Sequence, residues 1–121
     1  MLNMVNAKRV INKQSPLKLD PRLTKSAQLF SEYMARTGIF SHTADGRSFV
    51  QRCKAQNYAY PLGENIAMGQ STTEEVTRGW FNSPGHMANL MNPKAKYIGF
   101  GYAHGKSKGN IPGNYWVQDI G

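Results

Sequence analysis

Apolar residues recur at helical intervals in most of this chain and alternate near its end. Between Asp20 and Gly38, the residues Leu23, Ala27, Phe30 and Met34 follow one another at intervals of four, three and four. That spacing gathers them on one helical face. Asp20 suits the N-cap, Pro21 the first helical position, and Gly38 the left-handed residue that ends a helix. Residues 2–12 read as an earlier helix, with Leu2 and Val5 inward and Met4 or Arg9 flanking the stripe. The small polar run "SHTADGRS" (41–48) predicts a loop, and a short helix follows at about 48–56. "ENIAMG" (64–69) reads as an extended segment with Ile66 and Met68 on one side. Thr72 and Glu75 have capping-box spacing, and Val76 and Trp80 lie one turn apart on the helix they open. Ser83 and Pro84 start another helix over 84–91. "YIGFGYAH" and "NYWVQDIG" predict two strands around a turn rich in Gly and Lys. Four or five helices and at least three short strands result. Most helices precede the strands, and neighbouring strands can pair antiparallel, so the pattern predicts an α+β fold with helices covering a sheet.

Length and charge narrow the reading. At 121 residues, one domain spanning 1–121 with its own core is expected. No apolar stretch reaches the roughly 18 to 20 residues of a membrane span. The opening "MLNMVNAKRV" mixes charge with apolar residues and does not read as a secretory signal. The net charge of +8 suits an anionic envelope polymer, a membrane surface or nucleic acid. The basic residues are dispersed, however, and their closest groupings are Lys8 with Arg9, Lys94 with Lys96, and Lys106 with Lys108. Without an Arg-rich helix, zinc-finger spacing or aromatic RNA-binding motif, no nucleic-acid partner is expected. A monomer is the default. Cys53 is the only cysteine, so no internal disulfide can form. It follows Phe49 by four residues, which fits a buried structural thiol better than a nucleophile.

Three residues stand out for chemistry: His42 in "FSH", Glu64 in "GEN" and His86 in "SPGH". Each falls at an element end, where distant segments converge. Two imidazoles and a carboxylate are enough protein ligands for zinc with an open position. They would equally serve as an acid–base set in which Glu64 orients one ring. Ser83 is expected to cap the last helix, its oxygen taking the amide hydrogen of residue 85 or 86. His86 would then be the third helical residue, where the helix N-terminus disfavours the protonated ring by roughly 0.3 to 1 kcal/mol. A neutral ring is what a metal ligand or general base requires. GxSxG and Walker motifs are absent. Ser41 and His42 are sequence neighbours whose side chains diverge in an extended loop. Trp80, Trp116, Tyr97 and Phe100 read as core and strand packing.

Taken together, "LNMVNAKR", "PLKLDPRLTKSAQLFSEYMARTGIFSH", "GENIAMG", "WFNSPGHMANLMNP", "YIGFGYA" and "YWVQDIG" appear in the order of a bacterial CAP domain. The chain resembles this superfamily of cysteine-rich secretory proteins, antigen 5 and pathogenesis-related proteins, also called SCP-like, over nearly its whole length. The resemblance implies an α-β-α sandwich with a mainly three-stranded antiparallel sheet between helices, and a central cleft. In eukaryotic members two histidines and two glutamates line that cleft, and some bind zinc or another divalent metal. Carried over, the histidines fall on His42 and His86, and the "GEN" glutamate on Glu64. The second glutamate would lie three residues after a helical tryptophan, where this chain has Ser83; Glu74 and Glu75 lie upstream of Trp80 and do not match. A triad therefore replaces the tetrad, with Glu64 either a third ligand or a partner behind one ring. The disulfides of many eukaryotic members are also missing. Members have been linked to sterol or fatty-acid binding, to signalling through surface contacts and, in a few cases, to proteolysis. Bacterial members are mostly exported. The resemblance thus implies an extracellular or envelope binding module with a divalent metal, such as zinc, at His42 and His86. Its partner would be a lipid or an anionic envelope polymer, and binding is favoured over catalysis, which stays open. The alternative is a metal-dependent peptidase or esterase with Glu64 as general base beside His42 and His86.

Overall fold

The structure is a computed structural model that describes residues 1–121. In chain order the elements are α1 (Leu2–Ile11), β1 (Lys18–Leu19), α2 (Pro21–Thr37), α3 (Phe49–Ala55), β2 (Gly63–Met68), α4 (Thr73–Phe81), α5 (Pro84–Leu90), β3 (Tyr97–His104) and β4 (Asn114–Ile120). The strands form one sheet in the order β1-β3-β4-β2. β2, β4 and β3 pair antiparallel, as expected. A fourth strand, the two-residue β1, adds itself parallel to β3. Two residues carry no periodicity, so β1 left no trace in the sequence pattern.

Alternation along the strands sorts side chains to the two faces of the sheet. On one face Ile66, Tyr115 and Val117 pack with Ala27, Phe30, Met34 and Ala35 of α2. On the other, Ala67, Ile98, Trp116 and Ile120 pack with Val5 of α1, Val76 and Trp80 of α4, and Leu90 of α5. The molecule is therefore an α-β-α sandwich, with α2 and α3 in one layer and α1, α4 and α5 in the other. Phe100 is partly buried in the second cluster, while Tyr97 stands at the surface, 37% exposed. The packing role expected of Tyr97 fails because it is the first residue of β3, where the core ends.

The caps largely follow local chemistry. The Asp20 carboxylate accepts from the amides of Arg22 and Leu23, and Gly38 ends α2 with φ +75°. Ser48 and Gln51 form a reciprocal capping box on α3. At α4, Thr72 accepts from the Glu75 amide, but the Glu75 carboxylate reaches back one residue further, to the Ser71 amide. Arg9, expected to flank the α1 stripe, is fully buried. Its guanidinium donates to the carbonyls of Ser15, Leu90, Asn92 and Ala95, so it ties α1 to the segment after α5. Because those acceptors are backbone oxygens, no carboxylate nearby could have betrayed the role.

Candidate functional site

β2 is an edge strand, and the functional side chains gather round it. An unpaired edge exposes backbone acceptors that must be satisfied. Here Asn89 of α5 donates to the Glu64 carbonyl at 3.2 Å, and the Trp80 indole donates to the Ile66 carbonyl at 3.2 Å. The edge is thereby closed by the α4–α5 layer. His42, in the loop after α2, approaches it from one layer, and His86, on α5, from the other.

Glu64 and Asp119 are paired across β2 and β4, on the α2–α3 face of the sheet. The Glu64 carboxylate is almost completely buried, with 1% of the side chain exposed. Its Oε1 bonds His42 Nδ1 at 2.9 Å. The Arg52 guanidinium, also buried, spans both oxygens at 2.7 and 2.6 Å. Arg52 also donates to the His42 and Arg47 carbonyls and to Asp45 Oδ1, and it stacks 3.4 Å from the Phe30 ring centre. One guanidinium thus holds both the carboxylate and the loop that carries His42. The Arg52 Nε hydrogen is left without a partner.

Burial pushes the Glu64 carboxyl up, but the bond from His42, the adjacent Asp119 carboxyl and the Arg52 charge outweigh it and hold Glu64 below its ordinary value. Asp119 behaves oppositely. Burial, and then the negative charge of Glu64, raise its carboxyl well above the usual range. Neither of its oxygens has a hydrogen-bond partner. Two buried carboxyls this close resist a second negative charge, and Arg52 and His42 face Glu64, not Asp119. Cys53, buried in the same layer, is pushed up to about 12, first by burial and then by Asp119. It is a thiol at neutral pH, and not a nucleophile.

His86 is held differently. It is the third residue of α5, but Ser83 does not cap the helix. The Ser83 hydroxyl instead meets His86 Nδ1 at 2.9 Å. The hydroxyl makes its bond to the ring and none to the first amides of the helix. Burial, and then the neighbouring His42 ring, lower the His86 pKa, which favours the neutral ring at pH 7. Each histidine accordingly has its Nδ1 engaged, by Glu64 in one case and Ser83 in the other. The Glu64 carboxylate can only accept, so a neutral His42 ring keeps its Nε2 lone pair free, whereas the Ser83 hydroxyl can donate to His86 Nδ1 or accept from it. Behind His86, Asn65 donates to the His86 and Gln118 oxygens, and Asn89 donates to the Asn65 side chain, fixing α5 to the sheet.

Glu64, His42 and His86 do not meet as a three-ligand set: no group of three or more His, Cys, Asp and Glu side chains is placed to hold a metal ion. Glu64 joins His42, and His86 joins Ser83. A hollow of about 290 Å³ runs along β2 beside His86, walled by Phe40, Ile66, Met68, Val76 and Trp80. It lies near the lower limit of the roughly 300 to 1,000 Å³ usual for small-molecule sites. A larger hollow of about 370 Å³, behind the His42 loop, includes Tyr33, Arg36, Asp45, Arg47 and Arg52 but neither histidine.

Sequence reasoning missed Arg52 and Asp119. Asp119 had a signal: it shares the parity of Tyr115 and Val117, the inward face of β4, and so is an acid at a core position. Arg52 had a fainter one, lying next to Cys53 on an otherwise polar short helix.

Comparison with known proteins agrees with this fold. Residues 2–120 match CAP, described as the cysteine-rich secretory protein family. An uncharacterized protein of Bacillus subtilis, YkwD, is 36% identical over 99% of this chain and 45% of its own length. An uncharacterized protein of Borreliella burgdorferi is 26% identical over 69% of this chain and 54% of its own. The chain thus spans about half the length of these curated relatives. Among solved structures, an extracellular SCP-domain protein of Bacillus anthracis superposes with a TM-score of 0.84 at 25% identity, over 98% of this chain and 38% of that one. An outer surface protein of Borrelia burgdorferi superposes with a TM-score of 0.85 at 21% identity, over 99% of this chain and 87% of that one, and shows the shared fold. No helix of the chain is long and apolar enough to cross a membrane.

Proposed function

The chain belongs to the CAP family of cysteine-rich secretory proteins, and from that premise we propose an exported, non-catalytic binding module whose cleft takes a divalent cation between His42 and His86. The observation that carries the reading is the pairing of each ring's Nδ1 with a fixed neighbour, Glu64 at 2.9 Å and Ser83 at 2.9 Å. That arrangement orients imidazoles as ligands through Nε2. Glu64 is then the partner behind His42 and not a third ligand, because Arg52 and His42 already occupy its oxygens. Ser83 would accept from His86 Nδ1 when a metal takes Nε2, since its hydroxyl can turn to either role. Two protein ligands make an open and weak site, suited to zinc that exchanges or that a bound ligand completes. The apolar hollow beside His86 would receive the apolar part of such a ligand, a lipid chain being the simplest. The extracellular SCP-domain relative supports an exported setting.

Hydrolysis would need Glu64 to take up a proton. Its carboxylate is buried, forked by Arg52 and held below its ordinary value, all of which disfavour a general base. Zinc titration by calorimetry on chelator-stripped protein tests the binding reading. The parent should bind with micromolar affinity, and the His42→Ala/His86→Ala double variant should show no heat. Equal binding by both proteins would remove the histidines from the site.

A further inference from the structure

Away from both histidines, three hollows of about 200, 260 and 200 Å³ lie side by side at the N-terminal end of β3. Tyr97 lines all three, Lys96 lines two, and Tyr58 with Tyr60 line two, so the hollows form one trough. It runs from Ser15 and Lys18 at one end to Arg22 and Ala59 at the other. No Asp or Glu side chain lines it.

That absence reflects how charge is distributed over the whole molecule. The chain has seven acidic residues against fifteen Lys and Arg. Glu64 and Asp119 are buried on the sheet, and Asp20 is buried against Arg22. Glu32 and Asp45 line the separate hollow between α2 and the His42 loop, and Glu74 and Glu75 sit in the first turn of α4. Lys18, Lys94 and Lys96 are exposed along the trough, and no lysine of the chain forms a salt bridge. The trough is the place where unneutralised positive charge, ring surface and concavity coincide.

We propose that this trough binds a linear anionic polysaccharide. Successive hollows fit successive units of a chain. Spaced ammonium groups suit its repeating charge, and tyrosine supplies ring surface together with a hydroxyl for hydrogen bonding. Single-stranded nucleic acid fits less well, since it stacks successive bases on open rings. Only Tyr60, 83% exposed, presents a full face, whereas Tyr58 is 7% exposed. A membrane surface would need apolar area to enter it beside the basic charge, and of the tyrosines lining the trough only Tyr60 stands far out. The inference rests on the exported binding-module reading for its setting, but not on the histidine cleft.

Heparin, as a sulfated polysaccharide of defined chemistry, is the probe, with binding measured by calorimetry at physiological salt. Lys94→Glu/Lys96→Glu should weaken binding by about tenfold or more, whereas the charge-matched Lys106→Glu/Lys108→Glu in the β3–β4 turn should weaken it by less than about threefold. Tyr60→Ala/Tyr97→Ala, which leaves net charge unchanged, should also weaken it. The His42→Ala/His86→Ala protein should bind heparin as the parent does, whatever becomes of its zinc binding. Equal losses from the two lysine pairs would overturn the proposal in favour of net charge alone. So would binding of a single-stranded oligonucleotide or of phosphatidylglycerol vesicles as tight as that of heparin, with the same sensitivity to Lys94 and Lys96.

Discussion

At the scale of single residues, the cleft depends on an unequal pair of carboxyls. Arg52 and His42 hold the Glu64 carboxyl below its ordinary value, while burial and Glu64 hold that of Asp119 well above its own. An acid whose folded pKa is raised binds a proton that the unfolded chain releases above about 3.9. Its contribution to stability is therefore present at low pH and declines as pH rises through the folded value. Asp119→Asn removes that decline. Thermal melts should show the variant more stable than the parent at about pH 8 and similar to it at about pH 3. A stability difference between variant and parent that is the same at both pH values would show that folding does not raise the Asp119 carboxyl. His86 has the opposite sign. Its lowered pKa means the unfolded state takes up more protons as pH falls below about 6.5, so protonation there costs stability.

At the scale of elements, two short motifs decide geometry. β3 places Gly99 and Gly101 directly under α2: an added Cβ at Gly99 would stand 2.1 Å from the Leu23 carbonyl carbon, and one at Gly101 would stand 2.4 Å from that of Ala27. The helix backbone therefore lies on the strand with nothing between. Gly99→Ala should destabilise near the upper end of the roughly 1 to 3 kcal/mol typical of overpacking. A denaturant midpoint unchanged within error would show that α2 can lift away freely. The second motif is the start of α5. If Ser83 served as a cap, Ser83→Ala would cost about 1 kcal/mol. As a ring holder it should cost under about 0.5 kcal/mol while weakening zinc binding, a separation that calorimetry and unfolding read independently. Loss of stability with zinc affinity intact would return Ser83 to the capping role. The long helix was legible because its apolar face and both caps agree, and the β3–β4 pair because alternation runs its full length. The role of Ser83 was not legible, because cap and ring partner need the same residue at the same place; only coordinates separate the two bonds.

At the scale of the whole molecule, an edge strand between two helical layers brings together a loop after α2 and the first turn of α5. This is why His42, Glu64 and His86 were legible as candidates by their places at element ends, while their partition into two pairs was not. Glu64 points to the α2–α3 face, where Arg52 waits; His86 rides on the opposite layer with Ser83. Of the two partners, only Ser83 lies within a motif that marks the site. The charge map was equally hidden, because dispersal in sequence says nothing about which acids are buried. Lys94, Lys96 and Lys18 come together only once β1 pairs with β3.

The central claim is that both cleft histidines carry their hydrogen on Nδ1 and offer Nε2. Long-range proton–nitrogen correlation spectra of the ring nitrogens read this directly, with and without zinc. His104, whose Nδ1 bonds Asn114 Oδ1 at the hairpin, serves as the internal reference. The account predicts Nδ1–H tautomers for His42 and His86 at about pH 7.5, and zinc-induced shifts at Nε2 of those two rings alone. Rings protonated at Nε2, or three rings equally indifferent to zinc, would contradict it.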